Sequence, residues 1–457
     1  MEPEKVKFIP QYSKAQQVPP METPGVVDTD KLTCCEKLRW NLKQHRGALN
    51  MALCILVLFI LASVIIVSFV FITAIFPPDA QLRQALARTA CADNVCMIKL
   101  CETVPMVLPK SFEPRFLPIA TAWQQLLDRA RSNNQSLLPI TIASQYWTMQ
   151  DSDIPGGPWD NSGFGENIYK QLKEFVSNGG EVTVVDSGNF AESVTDLDTL
   201  SQNGASTYTL NISKVIGNGI LHTKSWLVGP TAFYLGSANM DWRALSEVKE
   251  MGVLVDSCTC LASDVARIQS IYVGLASGKI EYKNIPRMPQ LQALTNHTKP
   301  MRLTTVDGQD LEVYLSSSPP QFLGRYRTSD ADAVVDLISN AHKSICIEVM
   351  DYSPALVFEH PRKFWPIFDD AIRKAAYQNG HNLKIKMLIG YWKHTARDQY
   401  HYLQSLQAFY PAKIEVRLFK VPGWNSSDKT IPPYSRVNHA KFLVTETSAW
   451  IGEYCCI

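Results

Sequence analysis

The chain has 457 residues, 46% of them hydrophobic and 19% charged, with a formal net charge of +1. That apolar content can close one large core or two medium ones, which excludes a chain disordered throughout. The near-neutral balance, with a sequence pI of about 7.5, excludes a global basic field, so any polyanion partner must be held by a local patch.

Residues 1 to about 30 are rich in Pro, Glu, Lys and Gln without periodicity, the composition of a solvated tail. From Ala48 to Phe76 the sequence is uncharged and exceeds the roughly 20 apolar residues that cross a bilayer, so a transmembrane helix is expected at 48–76. A cleaved signal peptide would carry a shorter apolar stretch nearer the start. Lys31, Lys37, Arg39, Lys43 and Arg46 precede the span against Glu36 alone, which keeps the 1–47 tail cytosolic. A single-pass type II membrane protein follows, with a stalk at 77–110 and everything after it in the secretory lumen or outside the cell.

An oxidising compartment suits the cysteines beyond the span. Cys91 with Cys96 and Cys258 with Cys260 form two close clusters, expected to join as disulfides that clamp the stalk to the first half-domain. Zinc is the rival reading, but C-x-C and C-x4-C fit finger spacing poorly. Cys34 and Cys35 beside the membrane are either palmitate sites or plain surface thiols. N-x-S/T sequons at Asn134, Asn211, Asn296 and Asn425 all fall on the lumenal side and mark glycosylation candidates.

Beyond the stalk the chain repeats itself. LHTKSWLVGPTAFYLGS from Leu221 is echoed by NHAKFLVTETSAWIG from Asn438, and the β-rich runs starting at Ser136 and Glu181 are answered by those at Ser344 and Leu383. Helical stretches such as Asn167 to Asn178 and Phe364 to Asn379 lie between them. The expected architecture is α/β: two duplicated half-domains, each a mixed sheet flanked by helices, at 111–285 and 300–457. A proline-bearing linker is expected near Lys283 to Pro300, and the second half is expected to be incomplete.

In a strand, residues i and i+2 share a face, so His222 and Lys224 project together, as do His439 and Lys441. Gly229-Pro230 is a turn signal. Centred there, a hairpin pairs residues whose numbers sum to 459, which sets Ser237 opposite His222 with Asn239 close by. Such a group suits a phosphodiester: a histidine attacks phosphorus, lysine, Ser and Asn hold the non-bridging oxygens, and a second histidine moves the proton. No metal and no cofactor are expected.

H-x-K followed by G-S-x-N and then a glutamate, carried here by His222, Lys224, Ser237, Asn239 and Glu250, resembles the phospholipase D superfamily. The run GSANMDWRALSEVKEMG from Gly236, with Phe364-Trp-Pro and Arg436-Val-Asn-His-Ala-Lys, resembles its type II membrane subgroup, whose active members are lysosomal 5′ exonucleases on single-stranded DNA and RNA. The resemblance covers roughly residues 90 to 452. It implies catalytic roles for His222, Lys224, His439 and Lys441, phosphate binding by Ser237 and Asn239, and a Glu250 that orients His439. It also implies residence between endoplasmic reticulum and lysosome.

Two departures stand out. Gly229 takes the place of the first motif's Asp, with Glu446 replacing it in the second. After Gly452 the chain reads EYCCI, so Tyr454 and Cys456 stand where Ser and Asn belong. Three functions remain open: a metal-independent phosphodiesterase working through a phosphohistidine as a 5′-3′ exonuclease, a phospholipid phosphodiesterase or transphosphatidylase, and an inactive truncated membrane pseudoenzyme. Expected partners are single-stranded nucleic acid or phospholipid, the membrane through one helix, and a second copy in a homodimer. Tyr146, Trp147, Tyr352 and Trp392 are candidates for stacking bases, with core packing as the plain alternative. His342, His360, His381 and His394 lack ligand spacing and are expected at the surface.

Overall fold

The computed structural model describes residues 96–453 apart from 107, 110–111, 132–135, 189–193, 306–307, 357–360 and 423–429. The expected cytosolic tail, membrane span and most of the stalk lie outside the described residues, as do Cys91, Asn134, His360, Asn425, Tyr454 and Cys456. Among the described residues no helix is long and apolar enough to cross a membrane.

The fold is mixed α/β, with two sheets flanked by helices. The larger has eight strands in the order Leu117–Pro118, Met97–Thr103, Glu250–Asp256, Ala232–Gly236, Ser225–Val228, Ile140–Ala143, Val182–Asp186 and Ser206–Thr209. The smaller has five, in the order Lys413–Phe419, Lys384–Gly390, Ser344–Val349, Phe442–Thr445 and Ala449–Ile451. In each sheet three parallel strands meet an antiparallel hairpin, so the five strands of the second repeat the order and sense of five in the first.

Periodicity explains the layers. Ile119, Trp123, Leu126, Leu127 and Ala130 occupy one face of the helix Ile119–Arg131 and press onto the first sheet, where Trp123 stacks on Trp226 with ring centroids 5.3 Å apart. Gly165 sits so close to Trp242 that a Cβ would come within 2.3 Å of the tryptophan Cβ, so the helix Gly163–Ser177 approaches there only because the side chain is missing. The other face is closed by the helix Thr259–Ala276, with Leu261, Val265, Ile271, Tyr272 and Leu275 against Phe233, Leu227, Ala143 and Val185. Ile345, Ile347 and Val349, at alternate positions of one strand, pair with Ile385, Met387 and Ile389 of the next to build the second core under the helices Asp330–Ser339 and Ile367–Asn379. The opposite face of that sheet lines a shallow, solvent-facing depression with Cys346, Lys386, Glu415 and Arg417.

The segment from 283 to 300 is packed. Ile285, Leu291, Ala293 and Thr295 are buried, and Asp264 gathers Leu294 N, Thr295 N, the Thr295 hydroxyl and the Arg327 guanidinium. Cys96 is disulfide-bonded to Cys258, tying the start of the Met97–Thr103 strand to the start of the Thr259–Ala276 helix; Cys260 is disulfide-bonded as well. Glu446 accepts from the backbone N–H groups of His342, Lys343 and Ser344, which hold its carboxyl well below the usual range at about 2. It thereby fixes the entry to the Ser344–Val349 strand.

Candidate active site

Both H-x-K motifs lie where antiparallel hairpins return to the C-terminal ends of parallel strands. Ser225, just after Lys224, pairs with Ala143 at the end of its strand, and Phe442, just after Lys441, pairs with Glu348. The two hairpins close alike, with Gly236 N donating to Lys224 O at 3.3 Å and Gly452 N to Lys441 O at 3.2 Å. His222 and Lys224 therefore lie in the extended approach to the strand, not within it.

The hairpin register corrects the sequence reading. Val228 pairs with Ala232 and Ser225 with Leu235, so paired numbers sum to 460 instead of 459. The loop has three residues, Gly229 to Thr231, with Gly229 at φ +53°, so its centre falls on Pro230. Ser237 is accordingly not opposite His222. Its hydroxyl donates to Glu250 Oε2 at 2.5 Å and to Met251 O at 3.1 Å.

A main-chain seam joins Glu247–Lys249, just ahead of Glu250, to the segment that leads into the second H-x-K. Arg436 N donates to Glu247 O at 3.0 Å, Lys249 N to Val437 O at 2.9 Å, and His439 N to Lys249 O at 2.8 Å. The Arg436 guanidinium also pairs with Glu247 at 2.8 Å, and Lys249 reaches Glu102 at 3.1 Å. Burial alone would raise the Glu102 carboxyl, but Lys249 and the N–H groups of Arg115 and Phe116 take it below its ordinary value.

The seam sets Glu250 against His439, whose Nδ1 lies 2.9 and 3.0 Å from the two carboxylate oxygens. Burial would raise the Glu250 carboxyl; His439, Lys441 and the Ser237 hydroxyl reverse that and hold it below its usual range. A carboxylate only accepts, so the imidazole proton sits on Nδ1 and Nε2 keeps its lone pair. His222 has the opposite neighbour. Lys224 Nζ is 2.9 Å from its Nδ1, and an ammonium only donates, which leaves the proton of the neutral ring on Nε2. The two ring centroids are 6.5 Å apart with planes at 60°. Lys441, fully buried, donates to His439 O at 2.8 Å, and Lys224 Nζ also reaches Gln145 Oε1 at 3.2 Å.

Asn239 is bound into a chain of partners. Its Nδ2 donates to the Tyr146 hydroxyl at 3.2 Å, Tyr146 donates to Asp241 at 2.9 Å, and Asp241 pairs with Arg243 at 2.7 Å. Tyr146 is thus tied up as a hydrogen-bonding group. Trp147 and Tyr352 are buried, with Trp147 Nε1 on Ser144 and the Tyr352 hydroxyl on Asp369; Trp392 is half-buried. His342, His381 and His394 are exposed. Asn211 caps a short helix by accepting from Lys214 N, and the Asn296 side chain accepts from Thr298 and Lys299.

Sequence reasoning missed Glu453. Its Oε1 accepts from Lys224 N at 2.6 Å and from the Thr223 hydroxyl at 3.4 Å. The residue is half-buried but its carboxyl group is enclosed, and that burial pushes it up to about 7, with Lys224 and Lys441 offsetting only part of the cost. The position after a strand-ending glycine carried no signal that its side chain turns back onto the first H-x-K.

The family described as "PLD3/4, PLD-like domain" matches residues 114–424, a stretch that contains His222, Lys224, Ser237, Asn239 and Glu250. The chain belongs to the PLD3/4 family of phospholipase D-like proteins. Among its PLD3/4 relatives, "5'-3' exonuclease PLD3" of Macaca fascicularis is 38% identical over 72% of this chain, which spans 66% of the length of that relative. "5'-3' exonuclease PLD4" of Mus musculus is 35% identical over 79% of this chain and 70% of its own. Among solved structures, phosphatidylserine synthase of Haemophilus influenzae aligns with 79% of this chain and 80% of its own at 12% identity and a TM-score of 0.43, too slight a likeness to carry an argument.

Proposed function

We propose that the chain is a phosphodiesterase that cleaves single-stranded nucleic acid from the 5′ end through a phosphohistidine, without a metal. The observation that carries this reading is the pair of imidazoles 6.5 Å apart, one of them fixed by Glu250. The names of the PLD3 and PLD4 relatives support the exonuclease class. His439 attacks phosphorus with Nε2, forming the N–P bond while the P–O bond to the leaving nucleoside breaks. His222, entering as the imidazolium with both nitrogens protonated, gives its Nε2 proton to that oxygen and, then neutral, takes one from the water that cleaves the N–P bond. Lys224, Lys441 and Asn239 stabilise the non-bridging oxygens. In this reading the chain is two copies of one half-domain, at 111–285 and 300–457, held in the lumen between endoplasmic reticulum and lysosome by a type II anchor at 48–76.

The test is turnover of a 5′-hydroxyl single-stranded oligonucleotide at mildly acidic pH in the presence of a chelator. Stepwise shortening is expected, and His222→Ala or His439→Ala should each abolish it. Activity surviving both changes would overturn the mechanism. A phospholipid that competes with the oligonucleotide for the same preparation would instead favour the lipid phosphodiesterase. One observation favours the non-catalytic reading: the Glu453 carboxyl, held by Lys224 N, lies within the electrostatic reach of Lys224 and Lys441, the two cations assigned to the phosphate.

A further inference from the structure

An aromatic ladder climbs from the site to the surface. At its foot Trp392 packs with Met350, Val248 and Val437, and Val437 lies two residues before His439. Its Nε1 is fixed on the Asp351 carboxylate at 3.2 Å. His394 meets the Trp392 ring at 4.8 Å, and Tyr434 stacks on His394 at 5.4 Å with only 15° between the planes. Tyr434 is 60% exposed, and Lys393 Nζ lies 6.0 Å from its ring centroid.

The backbone presents that ring under strain. Tyr434 and Arg436 have φ of +60° and +57°, a conformation that L side chains rarely adopt. Arg436 is held by its pair with Glu247, and Pro433 O accepts from the Arg243 guanidinium. Surface tyrosines are common and most carry no message. Tyr410 is 79% exposed, but it precedes the Lys413–Phe419 strand and so stands at the opposite end of the parallel strands. Tyr434 differs because its support runs inward, ring on ring, to the segment that carries His439.

We propose that Tyr434, backed by His394 and Trp392, is a stacking platform for a nucleobase next to the scissile phosphate, with Lys393 beside it for the neighbouring backbone phosphate. The platform rests on the nucleic-acid reading proposed above. Stacking tolerates any base, because every base has a π-face, so the subsite adds affinity without sequence choice.

The test is equilibrium binding by the full chain carrying His222→Ala, which prevents turnover. A short thymidine oligonucleotide is compared with the same backbone bearing abasic positions. Tyr434→Ala should weaken the thymidine ligand roughly ten-fold and leave the abasic one unchanged, Tyr434→Trp should restore binding, and Tyr410→Ala should change neither. An equal loss for both ligands, or no loss, overturns the platform. As a readout independent of any Tyr434 variant, 2-aminopurine at successive positions should be quenched at one of them on binding, and binding without quenching again overturns the platform. A chain that binds no oligonucleotide at all overturns the nucleic-acid reading itself.

Discussion

Glu250 and His439 are 189 residues apart in the chain, yet the carboxylate lies 2.9 Å from the imidazole Nδ1. That contact is made by backbone, since residues 247–249 bond to residues 436–439 as a short parallel ladder. The side chains have little freedom to choose another partner. His439, with the charge of Lys441 and the Ser237 hydroxyl, keeps Glu250 ionised in a buried setting where an isolated carboxylate would take up a proton.

Glu250→Gln should therefore separate orientation from charge. An amide fills the same space but no longer fixes the tautomer with a formal negative charge, and the same carboxylate-to-amide change beside a catalytic histidine costs about 10⁴-fold in kcat where it has been made. The expected result is a fall of that size in kcat with KM nearly unchanged, measured on an oligonucleotide substrate. A change confined to KM would assign Glu250 to substrate binding.

Much of this was legible because the physics is local. The alternation of Ile345, Ile347 and Val349 and the helical spacing of Ile119, Trp123 and Leu127 announce a mixed α/β fold, and the Cys96–Cys258 bond joins two clusters that stand out in the sequence. The hairpin register slipped by one because a three-residue loop and a two-residue loop share the same Gly-Pro signal. The Glu453 contact was hidden because it joins residues 229 apart in the chain, which no local pattern encodes. Tyr146 looked like a free aromatic, and only the fold reveals Asp241 and Asn239 at its hydroxyl.

Asp264 and Arg327 form a buried ion pair at 2.5 Å that locks the 294–295 backbone onto the Thr259–Ala276 helix. Removing one member strands the other charge, at a cost of about 3–5 kcal/mol. Arg327→Met should thus lower the urea midpoint markedly, and an apolar residue at Asp264 as well should not recover the loss, because Leu294 N, Thr295 N and the Thr295 hydroxyl would lose their acceptor.

The Cys96–Cys258 bond spans 162 residues. Closing so long a loop restricts the unfolded chain, so mutating both cysteines to serine should cost about 2–5 kcal/mol. Thermal melting of the variant against the parent checks this, and an unchanged melting temperature would show that strand pairing with Glu250–Asp256 already holds the Met97–Thr103 strand.

Glu453 gives the pH dependence a definite sign. Its carboxyl is raised to about 7 in the folded chain from an ordinary 4.5, so the folded state holds a proton that the unfolded state gives up earlier. Stability from this group is full below about 4.5 and is lost as pH climbs through about 7. A rise from 4.5 to about 7 corresponds to a total of roughly 3 kcal/mol. Glu453→Gln should flatten that part of the stability profile between pH 4.5 and 7 in urea titrations. The same change removes an anion from beside Lys224, so inorganic phosphate should bind the variant several-fold more tightly at pH 8 and about equally at pH 5. Equal phosphate affinity for parent and variant at both pH values would mean that the Glu453 carboxylate and the phosphate occupy different space.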